Sequence, residues 1–166
     1  DGECYYYLKS SGLSKRRGLP EYNNVVQVTR EYLDRHGNPL NLNQIQQGDL
    51  IVARITIKPS QKDLSNLGIV DLLPAGLEIE NPRLESRASI PWLTEKSVGP
   101  DYMDIRDDRL ILFVSLNEVK TYQFYYALRA VTCGQFILPS IKAECMYSPE
   151  ISSFSSSGVI QVVRGE

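Results

Sequence analysis

Alternation between apolar and polar side chains is the feature that most constrains how this chain can fold. It is clearest in GDLIVARITI (48–57). The two alternating sets are Leu50, Val52, Arg54 and Thr56 on one side and Ile51, Ala53, Ile55 and Ile57 on the other. Side chains alternate between the two faces of a strand but repeat every 3.6 residues in a helix, so this segment is predicted to be a strand.

Similar strand patterns recur along the chain, with turn sequences such as HGNP (36–39) and CGQ (133–135) between them. The further segments are NNVVQVTREYL (23–33), NLGIVDLLPAGLEI (66–79, interrupted at 74–76), RLILFVSL (109–116), TYQFYYALRAV (121–131), FILPSIKAECMY (136–147) and GVIQVV (158–163). About seven strands separated by turns are typical of an antiparallel β-sandwich. The predicted fold class is therefore all-β, with an Ig-like sandwich as the architecture.

Three segments depart from this pattern. NPRLESRASIPWLTEKSVGP (81–100) lacks alternation and is predicted to hold a short helix, while SSFSSSG (152–158) is predicted to be a flexible loop. Residues 1–12 are predicted to form an extra strand that belongs either here or to a neighbouring domain. We therefore expect 1–20 to be an N-terminal arm or the end of a preceding domain, and 21–166 to be the sandwich.

Charge and length limit the classes of partner. Eighteen basic and 20 acidic residues leave a net charge of −2 in a chain of 166 residues, whereas a nucleic-acid binder carries a basic face. No run approaches the ~20 apolar residues of a membrane span, so no direct membrane insertion is expected. The chain starts at Asp1 and its first methionine is Met103, as expected for a piece of a larger protein or a processed product.

The residues that usually carry catalysis are sparse. His36 is the only histidine and lies in the HGNP turn, so a Ser-His-Asp or Cys-His device has no evident second group there. Cys4, Cys133 and Cys145 have no zinc-ligand spacing. We therefore expect no enzymatic activity, no metal and no cofactor.

The cysteines are also poorly placed for covalent bonds within the chain. An odd number leaves at least one thiol free, and a strand over 136–145 would hold Cys133 and Cys145 about 30 Å apart at ~3.3 Å per residue. An internal thioester between Cys and Gln requires the glutamine three residues after the cysteine, but that position holds Phe136. Neither bond is expected here.

Four consecutive charged residues, Arg106, Asp107, Asp108 and Arg109, precede the apolar run Leu110–Val114. Neighbouring side chains on a strand point to opposite faces, so the two carboxylates are not expected to flank one substrate bond. We interpret the four residues as a polar corner that starts a buried strand, with an interdomain contact as the alternative.

Several segments together resemble the C-terminal macroglobulin-type domain of the bacterial alpha-2-macroglobulins. They are VTREYLDRHGNPL, GDLIVARITI, GIVDLLPAGLEIENPRL, YMDIRDDRLILFV, FYYALRAVTCGQFILP and AECMYSPEI, in that order over about residues 22–163. LPAGLEIENPRL, RDDR and MYSPE are the most specific of these motifs. Cys133 and Cys145 depart from the residues expected at their positions.

The resemblance implies a piece of a protease-trapping inhibitor that is itself non-catalytic and docks on other domains of the same parent chain. Target proteases would be partners only of the full-length protein, which is expected in the periplasm, with a lipid anchor at a distant N terminus. Bacterial members use a Met-Tyr pair to shield a thioester located elsewhere, and these positions match Met146 and Tyr147. The alternative for this pair is packing at a strand end. The alternative for the whole chain is an Ig-like spacer or adhesin repeat of a bacterial surface protein.

Overall fold

The computed structural model describes residues 4–12, 20–80, 90 and 99–165. These residues form thirteen β-strands and no helix. The strands are β1 (Tyr22–Asn24), β2 (Val26–Leu33), β3 (Ile45–Gln46), β4 (Leu50–Pro59), β5 (Leu64–Leu72), β6 (Leu77–Ile79), β7 (Tyr102–Ile105), β8 (Arg109–Leu116), β9 (Tyr122–Ala130), β10 (Gly134–Leu138), β11 (Ile141–Cys145), β12 (Ser148–Phe154) and β13 (Gly158–Val163). The all-β prediction is confirmed, whereas the number of strands exceeds the seven expected.

The strands with the strongest alternation have nearly the predicted bounds. β8 and β13 begin and end where RLILFVSL and GVIQVV do, and the predicted interruption of 66–79 separates β5 from β6. In β9, the inward residues are those predicted to share one side, namely Tyr122, Phe124, Tyr126 and Leu128. The strands outside the predicted segments are short or lack alternation, as β3, β7 and β12 show.

The segment 23–33 is two strands because Val25 interrupts it with a left-handed backbone conformation, where φ is +66°. β-Branched residues rarely adopt this conformation. The Val25 carbonyl accepts hydrogen bonds from the backbone N–H of Ser60, at 2.7 Å, and from the Ser60 hydroxyl, at 2.8 Å. This kink lets β1 pair with β12 while β2 pairs with β4.

The segment 136–147 is also two strands rather than one, because Pro139 lies between β10 and β11. Proline lacks the N–H that a central strand needs for its ladder. β10 pairs with β13 in a three-stranded sheet, whereas β11 pairs with β5 and β12 in a ten-stranded sheet. The chain therefore changes sheets at Pro139.

The larger sheet has the order β6-β9-β4-β2-β1-β12-β11-β5-β8-β7, and the smaller one has the order β10-β13-β3. All their strand pairs are antiparallel except β13 with β3. From β9 to β5 there are six inter-strand steps, or about 29 Å in a flat sheet at ~4.8 Å per step. The hydroxyl of Tyr126 on β9 nevertheless lies 2.6 Å from Asp71 on β5. The large sheet must therefore fold back on itself, which makes the two layers of the sandwich.

The main core fills the space between these layers. Its fully buried members come from β4, β5, β8 and β11, among other strands, and include Ile55, Ile69, Leu112 and Ile141. The small sheet contributes Ile160, also fully buried. Apolar side chains from both sheets thus share one interior, as in other β-sandwiches.

A second apolar cluster explains why both faces of β4 are buried. Leu33, Val52 and Tyr125 project from the outer face of β2, β4 and β9, and Ile90 packs on them with no exposed surface. Ile90 comes from the segment 81–100. The helix predicted for that segment falls on 81–89 and 91–98, which lie outside the described residues.

The prediction of a flexible loop over 152–158 is wrong for its first half. Ser152 and Ser153 are buried in β12. The Ser153 hydroxyl accepts a hydrogen bond from Val28 N–H at 2.9 Å and donates one to Asn23 Oδ1 at 2.6 Å. Residues 4–12 contain no strand and are exposed, contrary to the expectation of a strand over 1–12; residues 1–3 lie outside the described part.

Candidate functional site

Met146 and Tyr147 form the tip of the hairpin between β11 and β12. Cys145 and Ser148 are cross-strand partners on either side of them, so the turn has two residues. The Met146 side chain is 56% exposed and that of Tyr147 is 79% exposed. Neither side chain packs into the core of this domain, contrary to the alternative of packing at a strand end.

An irregularity in β5 lies beside this tip. The pairing of β5 with β8 shifts by one residue between Leu64 and Leu67, so Ser65 and Asn66 form a β-bulge. The Met146 N–H donates a hydrogen bond to the Asn66 carbonyl at 3.1 Å, and Cys145 Sγ lies 3.2 Å from the Ser65 carbonyl oxygen. The base of the tip is therefore attached to a strand about 80 residues earlier in the sequence.

The two side chains of this tip have different contact properties. A methionine thioether adapts to irregular surfaces, and a tyrosine ring buries a large apolar area while its hydroxyl stays hydrogen-bonded or solvated. No cluster of three metal-ligating side chains occurs in the described residues. The tip thus presents two large, exposed side chains, one a thioether and one an aromatic ring.

The four charged residues 106–109 lie at the turn between β7 and β8. Arg106 N–H donates to the Arg109 carbonyl at 2.9 Å, which closes the turn, and Leu73 N–H donates to the Asp108 carbonyl at 2.9 Å. Backbone groups therefore make the connections at this corner. They join it to the end of β5 as well as to β8.

The side chains at this corner point to solvent and pair locally. Arg109 forms an ion pair with Asp108 at 2.5 Å, and Arg106 forms one with Asp104 at 2.8 Å. The hydrogen bond from Arg109 lowers the pKa of the Asp108 carboxyl. Asp107 is exposed. With Ile105 and Ile111, the four residues line an open depression in the surface.

His36 and the three cysteines belong to different strands or connecting segments. The His36 N–H donates to Asp34 Oδ1 at 2.8 Å inside the turn that the HGNP sequence predicted. Cys4 and Cys133 are exposed and Cys145 is buried, and all three are free thiols. The Cys133 thiol lies 3.2 Å from Gln47 Oε1.

A buried ionic cluster was not predicted from the sequence. Arg30 on β2 forms an ion pair with Asp71 on β5, and both side chains are almost fully buried. Arg30 also donates to the Pro139 carbonyl at 2.6 Å, and the Tyr126 hydroxyl donates to Asp71 Oδ2 at 2.6 Å. These bonds connect both layers with the point where the chain changes sheets. The one available signal was that Arg30 alternates in phase with the core residues Val26 and Val28.

Electrostatics in this cluster follow from burial. Burial raises the pKa of the Asp71 carboxyl, while Arg30 and the hydrogen bond from Tyr126 act in the opposite direction. Burial likewise raises the pKa of the Tyr126 hydroxyl well above its usual value. The Tyr32 hydroxyl, also buried, has no hydrogen-bond partner among the described residues. The cluster is enclosed within the domain, which suits a role in the fold.

Comparison with known families identifies the type of domain. Residues 26–150 match the model of the family described as the bacterial alpha-2-macroglobulin MG10 domain. The chain belongs to this family. The match spans most of the sandwich, from β2 into β12, and includes the Met146–Tyr147 tip and the 106–109 corner. It favours the alpha-2-macroglobulin interpretation over a spacer or adhesin repeat.

Several curated relatives of this chain are bacterial alpha-2-macroglobulins. The protein of Escherichia coli strain K12 is 30% identical over 174 residues, which cover 99% of this chain and 10% of that protein. The protein of Rickettsia conorii is 35% identical over 153 residues, which cover 88% of this chain and 8% of that protein. This MG10 chain thus spans about a tenth of the length of the curated relatives it matches.

Solved structures of such proteins contain the same fold. Salmonella alpha-2-macroglobulin reacted with methylamine superimposes with a TM-score of 0.75 at 30% identity, over 87% of this chain and 10% of that one. Native Escherichia coli alpha-2-macroglobulin, spanning domain MG7 to the C terminus, gives a TM-score of 0.73 at 29% identity, over 86% and 24% of the two chains. The MG10 fold therefore occurs within larger multidomain chains.

The described part of the MG10 chain contains no helix long and apolar enough to span a membrane.

Proposed function

We propose that this MG10 domain is a non-catalytic docking domain of a protease-trapping inhibitor. In this proposal, Met146 and Tyr147 cover a thioester carried by another domain of the same polypeptide. The observation that carries it is the exposure of both side chains, 56% and 79%, at the tip of a two-residue turn. A domain that used these residues only for its own packing would bury them.

The reactions of two relatives with methylamine and with proteases support this proposal. The Salmonella relative was reacted with methylamine, and the Escherichia coli relative was activated by trypsin and by porcine elastase. Methylamine is a primary amine, and its nitrogen attacks the carbonyl carbon of a thioester. The C–S bond breaks, an amide forms, and the sulfur leaves as a thiol after taking a proton. A resting inhibitor needs an apolar cover that keeps amines and water from that carbonyl.

The cover is tested in the full-length polypeptide by the rate at which methylamine releases thiol. Tyr147→Gly removes the ring, and we expect the rate to rise by about 5–30-fold, the factor that corresponds to ~1–2 kcal/mol of lost contact. Tyr147→Phe retains the ring and serves as the matched control, with a rate close to that of the wild type. Exposed Cys4 and Cys133 are blocked beforehand, because they would otherwise contribute to the signal.

Two results would contradict the cover. If methylamine releases no thiol even from the unfolded polypeptide, the polypeptide has no thioester to protect. If Tyr147→Gly and the unmodified protein react at the same rate, the tip does not limit access to the thioester. The remaining function would then be protease trapping by a mechanism that does not use this cover.

The absence of catalysis is tested separately with the domain and generic esterase and glycosidase substrates. We expect no turnover above the buffer rate, because the bond that the structure shows at the single histidine comes from its backbone N–H to Asp34 and shapes the turn. Activity that co-purifies with the domain through several columns would overturn this expectation.

We also propose a periplasmic location for the full-length protein, held to the inner membrane by a lipid at its distant N terminus. Its support is the family, whose targets would be proteases that reach the periplasm. Fractionation of the source cells tests it, with release by osmotic shock before and after removal of lipid-anchored proteins. Recovery only with the cytoplasmic fraction would contradict it.

A further inference from the structure

We propose that the β5 bulge at Ser65–Asn66 positions the Met146–Tyr147 tip, and that Asn66 is a positioning residue for the thioester cover. The inference rests on the proposed function and adds to it a device that the sequence motif MYSPE does not contain. The bulge lies on a different strand, about 80 residues before the tip. Asn66 touches no reacting atom and acts through Met146.

Two contacts connect the bulge with the tip. The Asn66 carbonyl accepts a hydrogen bond from the Met146 N–H at 3.1 Å, beyond the last residue of β11. The Ser65 carbonyl lies 3.2 Å from Cys145 Sγ, and Cys145 is buried. Cys145, which leads into the tip, and Met146, the first residue of the tip, are thereby held, although the tip side chains themselves are exposed. A two-residue turn without such contacts would change its direction relative to the sheet more freely.

The bulge depends on the backbone conformation of Asn66. Its φ is +56°, in the left-handed region. Asparagine and glycine adopt this region with little strain, whereas β-branched residues are strongly disfavoured there. The single extra residue between Leu64 and Leu67 is accommodated by this conformation. A residue that resists it would therefore force β5 to pair differently and move the carbonyl that Met146 uses.

The substitution Asn66→Val in the full-length polypeptide tests the proposal through the rate of thiol release by methylamine. We expect a rise of about fivefold or more, corresponding to ~1 kcal/mol of lost positioning. Asn66→Gly is the matched control, because glycine retains the left-handed conformation, and its rate should equal that of the wild type. Asn66→Ala is measured as well, since it disfavours the conformation without branching and provides a result if the valine variant does not fold.

A combined variant separates positioning from a general loss of stability. If Asn66 acts through the tip, adding Asn66→Val to a variant that already carries both Met146→Gly and Tyr147→Gly should not raise the rate further. If the bulge merely stabilises the domain, the two effects should multiply, which would overturn the proposal. An unchanged rate in both Asn66→Val and Asn66→Ala would also overturn it.

The failure of this inference is distinguishable from the failure of the proposed function. An unchanged rate in Tyr147→Gly contradicts the cover itself, and Asn66 then has no cover to position. A faster Tyr147→Gly combined with unchanged Asn66 variants retains the cover and rejects only the role of the bulge.

Discussion

Because Gly76 has no side chain, the ring of Phe136 can pack closely against its backbone. The turn over 74–76 closes through a hydrogen bond of 2.9 Å from Leu77 N–H to the Pro74 carbonyl, and Val131 N–H donates to the Gly76 carbonyl at 2.9 Å. A Cβ added at Gly76 would lie 2.6 Å from Cδ2 of Phe136 and closer still to Cε2. The glycine of the LPAGL motif is thus required by the approach of the Phe136 ring.

We expect Gly76→Ala to lower the free energy of unfolding by about 1–3 kcal/mol, since the added methyl group forces Phe136 out of its place. Gly68→Ala is the matched control, because its Cβ would meet the nearest atom, Cε1 of Phe113, at an ordinary 3.5 Å. Urea denaturation of both variants measures the difference. Equal stability of the two would show that Phe136 moves aside without cost.

Asp71 carries a buried carboxyl group that forms an ion pair with Arg30. Replacing it with alanine should cost about 3–5 kcal/mol, because Arg30 would remain buried without its partner. The exposed cross-strand pair Glu31–Arg54 provides the control, and Glu31→Ala should cost about 0–1 kcal/mol. Thermal or urea unfolding measures both. A small loss at Asp71 would mean that water or another group satisfies Arg30.

At the scale of strands, local pattern predicted an element wherever one face was apolar and the other polar. The local pattern did not predict strands that form because of hydrogen bonds to a neighbouring strand. Ser152 and Ser153 look like a loop because serine is common in turns, yet the Ser153 hydroxyl bonds two neighbouring strands. The kink at Val25 and the change of sheets at Pro139 likewise become evident only once the pairing with distant strands is known.

The candidate site shows the same limit. The Met146–Tyr147 pair was recognisable from the motif that contains it, but the Ser65–Asn66 bulge beside it was not. Periodicity tells which residues share a face and carries no information on which strands become neighbours. The ion pair between Arg30 and Asp71 was hidden for this reason, because 41 residues separate its members.

The turn between β7 and β8 gives a prediction at this scale. Its hydrogen bonds come from the backbone of Arg106, Asp108 and Arg109, whereas its acidic side chains face solvent. We therefore expect Asp107→Ala and Asp108→Ala to leave the melting temperature of the domain unchanged. Such a result would favour the interdomain contact over the structural corner for these side chains. A clear fall in the melting temperature would favour the corner.

At the scale of the whole molecule, the three thiols report on how the sandwich opens. Cys145 is 7% exposed, whereas Cys4 and Cys133 are exposed. We expect two thiols to react at once with a soluble disulfide reagent, and the third only as fast as the structure opens around Cys145. The rate of this slow phase should rise with urea.

Cys145→Ala identifies the slow thiol, since this variant should show the two fast thiols and no slow phase. Three thiols that react equally fast in the unmodified domain would mean that β11 detaches readily from β5. That result would also weaken the attachment of the hairpin tip.

The order of the small sheet has a consequence for how the domain is made. β13 follows all the other strands in the chain and lies in the middle of this sheet, between β10 and β3. Synthesis proceeds from the N terminus, so Ile45 on β3 and Phe136 on β10 leave the ribosome before the strand that joins them exists. During that interval the apolar side chains of this sheet have no shared partner, and the nascent domain is most open to chaperones and to misassembly with its neighbours.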